Sequence, residues 1–301
     1  RALTALDRLY EGQSMWIEIS ENLERQLTLA QDAEQVITLN LRLGALRLSQ
    51  LSQPNLAAEN YRRVIEFDPN NDTALAAMET LLAHEGEQLG VAKILEPIYR
   101  NTNQWPKLIQ CYEIMVKHSQ EASEQIALLH RIAELHEIIG DEAAAFSALG
   151  RAFKVEPSNV DSQGRLENVA RQMGAFAALV ALYEEVVPDI VDDQLAISIL
   201  FKVAQIHEGV LDNASQAAAS YERVLGIDPA NFAAVDALIE LHRRTSNFDA
   251  LVAAVVRKAD MVESVEDRKA LILYAANVRE TVMENPAGAI ELYQQVLAID
   301  S

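Results

Sequence analysis

A segment of thirteen residues recurs four times along this chain, and it is the feature that most restricts the possible folds. In every copy a small residue is followed four positions later by Tyr or Leu, seven later by Val or Ala, and twelve later by Pro or, once, Ser. The first, fifth and eighth residues fall on one face of an α-helix, and a proline ends a helix. The copies begin at Ala57, Ala145, Ala217 and Ala289; the tyrosines are Tyr61, Tyr221 and Tyr293, and the prolines are Pro69, Pro157 and Pro229.

A second small residue precedes each copy, by thirteen positions in three copies and by twelve in the other. It lies in an amphipathic helical pattern; Ala204, for example, follows Leu200 by four positions and Phe201 by three. Small residues on two successive helices let those helices approach closely, so the pattern predicts helical hairpins. The four upstream residues are Gly44, Ala133, Ala204 and Ala276.

This hairpin resembles the tetratricopeptide repeat, which carries small, aromatic and proline residues at matching places. The resemblance implies an all-α, right-handed superhelical solenoid of tandem helical hairpins, similar to large bacterial tandem-repeat proteins that alternate divergent and consensus-like repeats. It departs from the family in that Val64, Val224 and Val296 replace a consensus Ala, and in that three turns are one residue longer. We expect the packing to be kept with a slightly different superhelical pitch.

A divergent hairpin lies between these consensus-like ones and is marked by an aromatic residue at a helix start. The aromatic residues are Trp16, Trp105, Phe176 and Phe248, at intervals of 89, 71 and 72 residues. Their regular spacing favours a packing role over ligand stacking. We predict one solenoid over residues 1–301 in compound units of approximately 1–69, 70–157, 158–229 and 230–301, with an extra helix near 86–100. Because the sequence starts at Arg1 in mid-pattern, we expect a piece of a longer protein.

The composition is strongly acidic, with 45 acidic and 25 basic residues and a net charge of -20. Such a charge disfavours nucleic acid and anionic membrane surfaces as partners and favours basic ones. Half the residues are apolar while Gly and Pro are scarce, which excludes a disordered chain. No apolar run is long enough for membrane insertion. The single Cys111 excludes an internal disulfide and fits a reducing compartment, so the expected location is cytoplasmic.

Catalytic signatures are weak, and we expect neither an enzyme nor a bound cofactor or metal. His84, His136 and His207 are each followed by Glu, but the second histidine of a zinc-binding helix is missing each time. These histidines are interpreted as solvated or groove-lining residues. Cys111 lies in an apolar helical pattern and is interpreted as a small buried hydrophobe.

The family geometry directs two positions of the first helix of each consensus-like hairpin towards a concave groove. In the last three copies, the residues one and four positions after the small residue are polar. They are our candidates for partner binding in the groove: Glu134, Glu137, Gln205, Glu208, Asn277 and Glu280. Alternatively, they are merely solvated positions of a very acidic protein. The family's cationic clamp for peptide carboxylates is not matched.

The leading hypothesis is therefore a non-catalytic scaffold or adaptor for protein-protein interaction, which binds a basic or amphipathic protein or peptide in the groove. One alternative is a substrate-selecting arm of a larger enzyme whose catalytic domain lies outside this sequence. Another is end-to-end self-association of the solenoid through its apolar ends.

Overall fold

The structure is a computed structural model that describes residues 2–84 and 86–299, and it contains seventeen α-helices and no strand within those residues. The all-α prediction is confirmed. The helices are α1 Ala2–Gly12, α2 Trp16–Leu29, α3 Ala33–Ser49, α4 Pro54–Phe67, α5 Asp72–Leu81, α6 Gln88–Asn101, α7 Trp105–His118, α8 Ala122–Ile139, α9 Glu142–Val155, α10 Val160–Met173, α11 Phe176–Val186, α12 Asp193–Gly209, α13 Ala214–Ile227, α14 Phe232–Arg244, α15 Phe248–Met261, α16 Val265–Asn277 and α17 Pro286–Ile299. A 3-10 turn, Val187–Asp189, follows α11, and a π-turn, Val278–Val282, follows α16.

The chain divides into two compact units, Arg1–Glu156 with α1 to α9 and Pro157–Ser301 with α10 to α17. The sequence predicted one solenoid, and the hand of its superhelix remains a prediction. Arg1, taken as the point where the repeat pattern is cut, and Ser301, taken as the last position of the fourth copy, lie outside the described residues.

Sixteen of the helices form eight hairpins, and each hairpin turn contains one residue with positive φ. This left-handed conformation turns the chain sharply at the end of a helix, which is where Gly is favoured. Only Gly140 and Gly174 use glycine; the other six turns use polar residues, Ser14, Ser52, Asn103, Asp212, Ser246 and Glu284. In each divergent hairpin this residue lies two positions before the marker aromatic.

The helix left outside the eight hairpins is α5. A helix does lie where the sequence placed the extra one, since α6 spans Gln88–Asn101 and runs through Pro97. However, α6 pairs with α7 across the turn at Asn103, as α10 pairs with α11 and α14 with α15. The unpaired helix is thus Asp72–Leu81, one helix earlier than predicted.

A spacing of Asp, Pro and Asn that recurs within the chain explains how consecutive repeats are joined. After α13 the chain turns at Asp228, and the side chain of Asn231 accepts a hydrogen bond from the amide of Ala234 at 3.1 Å to begin α14. The side-chain Nδ2 of Asn231 also donates a hydrogen bond to the Asp228 carboxylate at 3.0 Å. Asn71 caps α5 in the same way, so the Asp-Pro segment ends one helix and positions the next.

Small residues hold the two helices of a hairpin together. A Cβ atom on Gly44 would lie 2.9 Å from Cζ of Tyr61, which is 3% exposed, so glycine is needed at this contact. The other small residues of the repeat pattern, in this hairpin and in the other three, are also buried: Ala57, Ala133, Ala145, Ala204, Ala217, Ala276 and Ala289. The marker aromatics begin α2, α7, α11 and α15 and are all half-buried: Trp16, Trp105, Phe176 and Phe248.

Candidate partner-binding surface

The first helix of a hairpin is called here its A helix, and the residues one and four positions after its small residue form the A-helix face. On α8 this face presents Glu134 and Glu137, both exposed. The second unit presents the other candidates: Gln205 and Asn277 are exposed, Glu208 is half-buried, and Glu280 is exposed within the π-turn after α16. The small residue next to each pair is buried, so α8, α12 and α16 each separate a packed side from a polar side, whereas α3 has Ala45 and Leu48 at the two positions.

Two of the three repeated glutamates are held by the repeat tyrosines. The Tyr293 hydroxyl donates to Oε2 of Glu280 at 2.7 Å, and the Tyr221 hydroxyl donates to Oε2 of Glu208 at 3.3 Å. Oε1 of Glu208 also pairs with Arg244 at 2.9 Å. Burial, and then the neighbouring Glu208 carboxylate, raises the pKa of Tyr221 to about 12. These two glutamates therefore have a structural role, and their role in partner binding stays a prediction.

The second consensus-like hairpin lacks this contact because Leu149 replaces the tyrosine. Glu137 consequently has no tyrosine hydroxyl beside it. The A-helix face thus differs between hairpins. Glu208 is paired with Arg244, Glu280 is oriented by the hydroxyl of Tyr293, and Glu137 on α8 has neither contact.

Sequence reasoning missed a second set of acidic residues, on the A helices of the divergent hairpins. Glu167 accepts hydrogen bonds from the Tyr183 hydroxyl at 2.8 Å and from Lys202 Nζ at 2.6 Å. Tyr183 is fully buried, and burial followed by the Glu167 carboxylate raises its pKa. Glu167 therefore satisfies a buried hydroxyl on α11 and a cation on α12 at once.

Two related arrangements lie in the first unit; one has no tyrosine, and in the other Arg131 contacts the tyrosine ring rather than the acid. Asp7, 3% exposed, accepts from Asn22 and from Gln26 Nε2 at 2.8 Å, and pairs with Arg42 at 2.9 Å. Glu96 accepts from the Tyr112 hydroxyl at 2.8 Å, and the guanidinium of Arg131 lies 5.8 Å from the centre of the Tyr112 ring.

One sequence signal could have revealed these networks. In each, the cation follows the acid by 35 residues, which is roughly the length of one hairpin. The fourth compound unit has Ile239 and Tyr274 at these positions, so it has neither the acid nor the cation.

Cavities lie beside α10 and α6, two of these helices. One of about 200 Å³ lies among α10, α11 and α12; Leu179 and Ile206 contribute its apolar wall and Arg171 and Gln205 its polar wall. Another, of about 610 Å³, lies between the end of α4 and α6, where the unpaired helix interrupts the hairpin array. Ile65 and Ile94 line it, which places an apolar recess at the irregular position.

The candidate catalytic groups are packed rather than arranged around a common point. Cys111 is fully buried, and burial, followed by the charges of Glu96 and Glu79, raises the pKa of its thiol to about 12. Within residues 2–84 and 86–299 no three His, Cys, Asp or Glu side chains are placed to hold a metal ion. Nor does any described helix have the length and apolarity that crossing a membrane requires.

The histidines share a position with two arginines. His136 and His207 are half-buried, three residues after the small residue, and the buried Nδ1 of each has no hydrogen-bond partner among the described residues. Arg47 and Arg279 lie at the same repeat position and leave their Nε without a partner in the same way. His84, the other histidine considered, is exposed, and Glu85 beside it lies outside the described residues.

No protein-family model matches the chain, and no curated protein matches it. Among solved structures the chain is similar to yeast Tom70, at 14% identity and a TM-score of 0.32, covering 92% of this chain and 62% of that one. It is also similar to the P58(IPK) tetratricopeptide repeat domain, at 14% identity and a TM-score of 0.26, covering 96% and 87%. A tetratricopeptide repeat protein of Parabacteroides merdae matches at 13% identity and a TM-score of 0.26, covering 92% and 98%.

The chain spans less than two thirds of the Tom70 chain that it matches.

Proposed function

We propose that this chain is a non-catalytic scaffold that binds a partner protein or peptide on its A-helix face. One observation carries this proposal: five of the six candidate residues, all except the half-buried Glu208, are exposed although the neighbouring small residues are buried, so most of this polar surface lies outside the packed side of the helices. Within the second unit, the candidates that follow the small residues of α12 and α16 offer several contacts to one extended partner.

The partner is proposed to be basic or amphipathic. The chain carries an excess of 20 acidic residues, which steers basic partners towards it. Glu280 adds a preorganised acceptor, because Tyr293 fixes Oε2 while Oε1 has no hydrogen bond in the part of the chain that the structure describes. A carboxylate whose rotamer is already fixed loses less entropy when a cation binds to it.

The test is fluorescence anisotropy with two labelled amphipathic peptides that share one apolar face and carry Lys or Glu on the other. We expect the lysine peptide to bind and the glutamate peptide not to bind. The double variant Glu134→Gln/Glu137→Gln removes two charges from the A-helix face of α8 and should weaken binding by about tenfold.

A charge-matched control is the double variant Glu21→Gln/Glu291→Gln, which changes exposed acids on α2 and α17. It should leave the affinity within about twofold, because distant surface charges are screened by salt. Equal loss in both double variants, or preference for the glutamate peptide, would refute binding at the A-helix face.

A further inference from the structure

Three polar side chains are buried in the hairpin of α3 and α4, where the other consensus-like hairpins bury mainly apolar ones. They are Asn40, Asn60 and Arg47, which are 1%, 3% and 8% exposed. The counterparts of Asn40 are Leu129, Leu200 and Ile272, and those of Asn60 are Ala148, Ser220 and Leu292. Burying polar groups costs free energy unless their hydrogen bonds are satisfied. The repeat folds without this polar cluster elsewhere, so its presence here needs another reason.

The three side chains are joined by hydrogen bonds that end at Arg47. Asn60 Nδ2 donates to Asn40 Oδ1 at 2.8 Å, and Arg47 Nη1 donates to Asn60 Oδ1 at 2.7 Å. Nη2 of Arg47 pairs with Glu24, whose side chain is 53% exposed. The buried Nε of Arg47 has no hydrogen-bond partner among the described residues. The guanidinium is thus held in place with donor capacity left over.

Arg279 holds the same repeat position and shares the unpartnered Nε, but its surroundings differ. It is half-buried, and Ile272 and Leu292 stand in place of the two asparagines. Of these two arginines, Arg47 alone is combined with buried amide groups.

A cavity of about 500 Å³ lies beside Arg47, between α2 and α4. Arg47 and Asn60 contribute its polar wall, and Leu27, Leu43 and Leu56 contribute its apolar wall. Its volume falls within the range of small-molecule sites, about 300–1,000 Å³. None of the six candidates of the A-helix face lines it, so it is a separate place on the first unit.

A second guanidinium, that of Arg63, lines the same cavity. Its acidic neighbour Glu59 accepts two hydrogen bonds from Arg62, at 2.9 and 2.5 Å. The contact between Arg63 and Glu59 is 3.6 Å, which is longer than a hydrogen bond. Two guanidinium groups with spare donors therefore lie beside apolar surface. The planar fork of a guanidinium matches the geometry of a carboxylate.

We propose that this cavity binds a small organic carboxylate, which pairs with Arg47 and Arg63 and lays its apolar body on Leu27 and Leu56. The carboxylate takes the place of Glu24, whose largely exposed side chain turns towards solvent. It supplies the acceptors that the buried guanidinium lacks. This inference goes beyond the proposed function and does not depend on it.

The test is a methyl NMR titration of the full chain, labelled at its leucine methyl groups. The probes are hexanoate, hexanol and hexylamine, which have similar apolar tails and differ in charge. We expect hexanoate to shift the signals of Leu27, Leu43 and Leu56, and the other two probes to bind at least about tenfold more weakly. No shift of these signals with hexanoate, or equal affinity for hexanoate and hexanol, overturns the proposal.

Two exposed positions give variants that should fold normally. Arg63→Gln removes one guanidinium and should weaken hexanoate binding by about tenfold. Arg243→Gln is the matched control and should leave the affinity unchanged, because its side chain is 59% exposed and lies in the second unit. Glu24→Gln should strengthen binding by about threefold, because it removes the charge that competes for Arg47. Unchanged affinity in Arg63→Gln, or weaker binding in Glu24→Gln, contradicts the proposed site.

The double variant Asn40→Ile/Asn60→Leu gives this hairpin the residues that accompany Arg279. Circular dichroism should show its helical content unchanged, because the hairpin of α16 and α17 folds with these residues. Hexanoate binding should be lost, since Arg47 no longer has the amide that orients it. Binding retained in this folded variant would also overturn the proposal. Peptide binding at the A-helix face would be untouched by that result, since the anisotropy experiment uses other residues.

Discussion

At the scale of single residues, the absence of a side chain at Gly44 lets the ring of Tyr61 pack directly against the backbone of α3. The ring of Tyr61 packs on the backbone of Gly44, and its surroundings hold the ring in place because Tyr61 is 3% exposed. The small residue and the tyrosine could be predicted from their spacing, because helix periodicity determines which positions face each other. The hydrogen bonds of Tyr221 and Tyr293 could not, because they depend on how far each hydroxyl reaches across its hairpin.

Gly44→Ala should destabilise the first unit by about 1–3 kcal/mol, since the new Cβ would overlap a ring that cannot move away. Gly164→Ala is the matched control: its Cβ would meet nothing within 4 Å, and it should stabilise α10 by roughly 0.5–1 kcal/mol through backbone entropy. Urea unfolding followed by circular dichroism measures both. Stabilisation by Gly44→Ala would show that the helices of this hairpin separate more easily than their packing implies.

At the scale of helices, the carboxylates that join three helices at once matter more than exposed ion pairs. Glu167 links α10 to the buried hydroxyl of Tyr183 on α11 and to Lys202 on α12. Glu222, by contrast, pairs with Arg257 at 3.1 Å and has a side chain that is 57% exposed. Solvent screens that second pair strongly.

Glu167→Ala should therefore cost about 1–3 kcal/mol, because it leaves a buried hydroxyl without an acceptor. Glu222→Ala should cost at most about 1 kcal/mol. The gain in helix propensity is the same in both variants and cancels in the comparison. Hydrogen exchange should show faster opening of α10 and α12 only in Glu167→Ala, and equal costs in the two variants would contradict the proposed role of Glu167.

The sequence predicted these helices better than their pairing. Eight hairpins follow from the spacing of small residues and aromatics, but α5 and α6 both match the helix before a marker aromatic. α5 has the right distance from the Asp68-Pro69 turn that precedes such a helix, and α6 has the right distance from Trp105, the aromatic residue that follows it. Only packing decides between them, because α6 forms the turn at Asn103 with α7. The long-range acid networks were missed for a related reason, since their partners lie on different hairpins.

At the scale of the whole molecule, net charge and local ion pairs act in opposite directions as salt is added. Exposed ion pairs such as the one between Arg257 and Glu222 lose their modest contributions when salt screens them. Repulsion within the chain is screened as well, and an excess of 20 acidic residues makes that repulsion the larger effect.

The urea midpoint should therefore rise as sodium chloride is increased from near zero to about 0.1 M, where the screening length falls to about 10 Å. The Glu21→Gln/Glu291→Gln variant has a smaller excess charge, so its midpoint should start higher and rise less. Unfolding must be followed at a protein concentration where the chain is monomeric, because association would add its own salt dependence. A midpoint that falls with added salt in both chains would mean that paired charges, rather than the acidic excess, dominate the electrostatic free energy of folding.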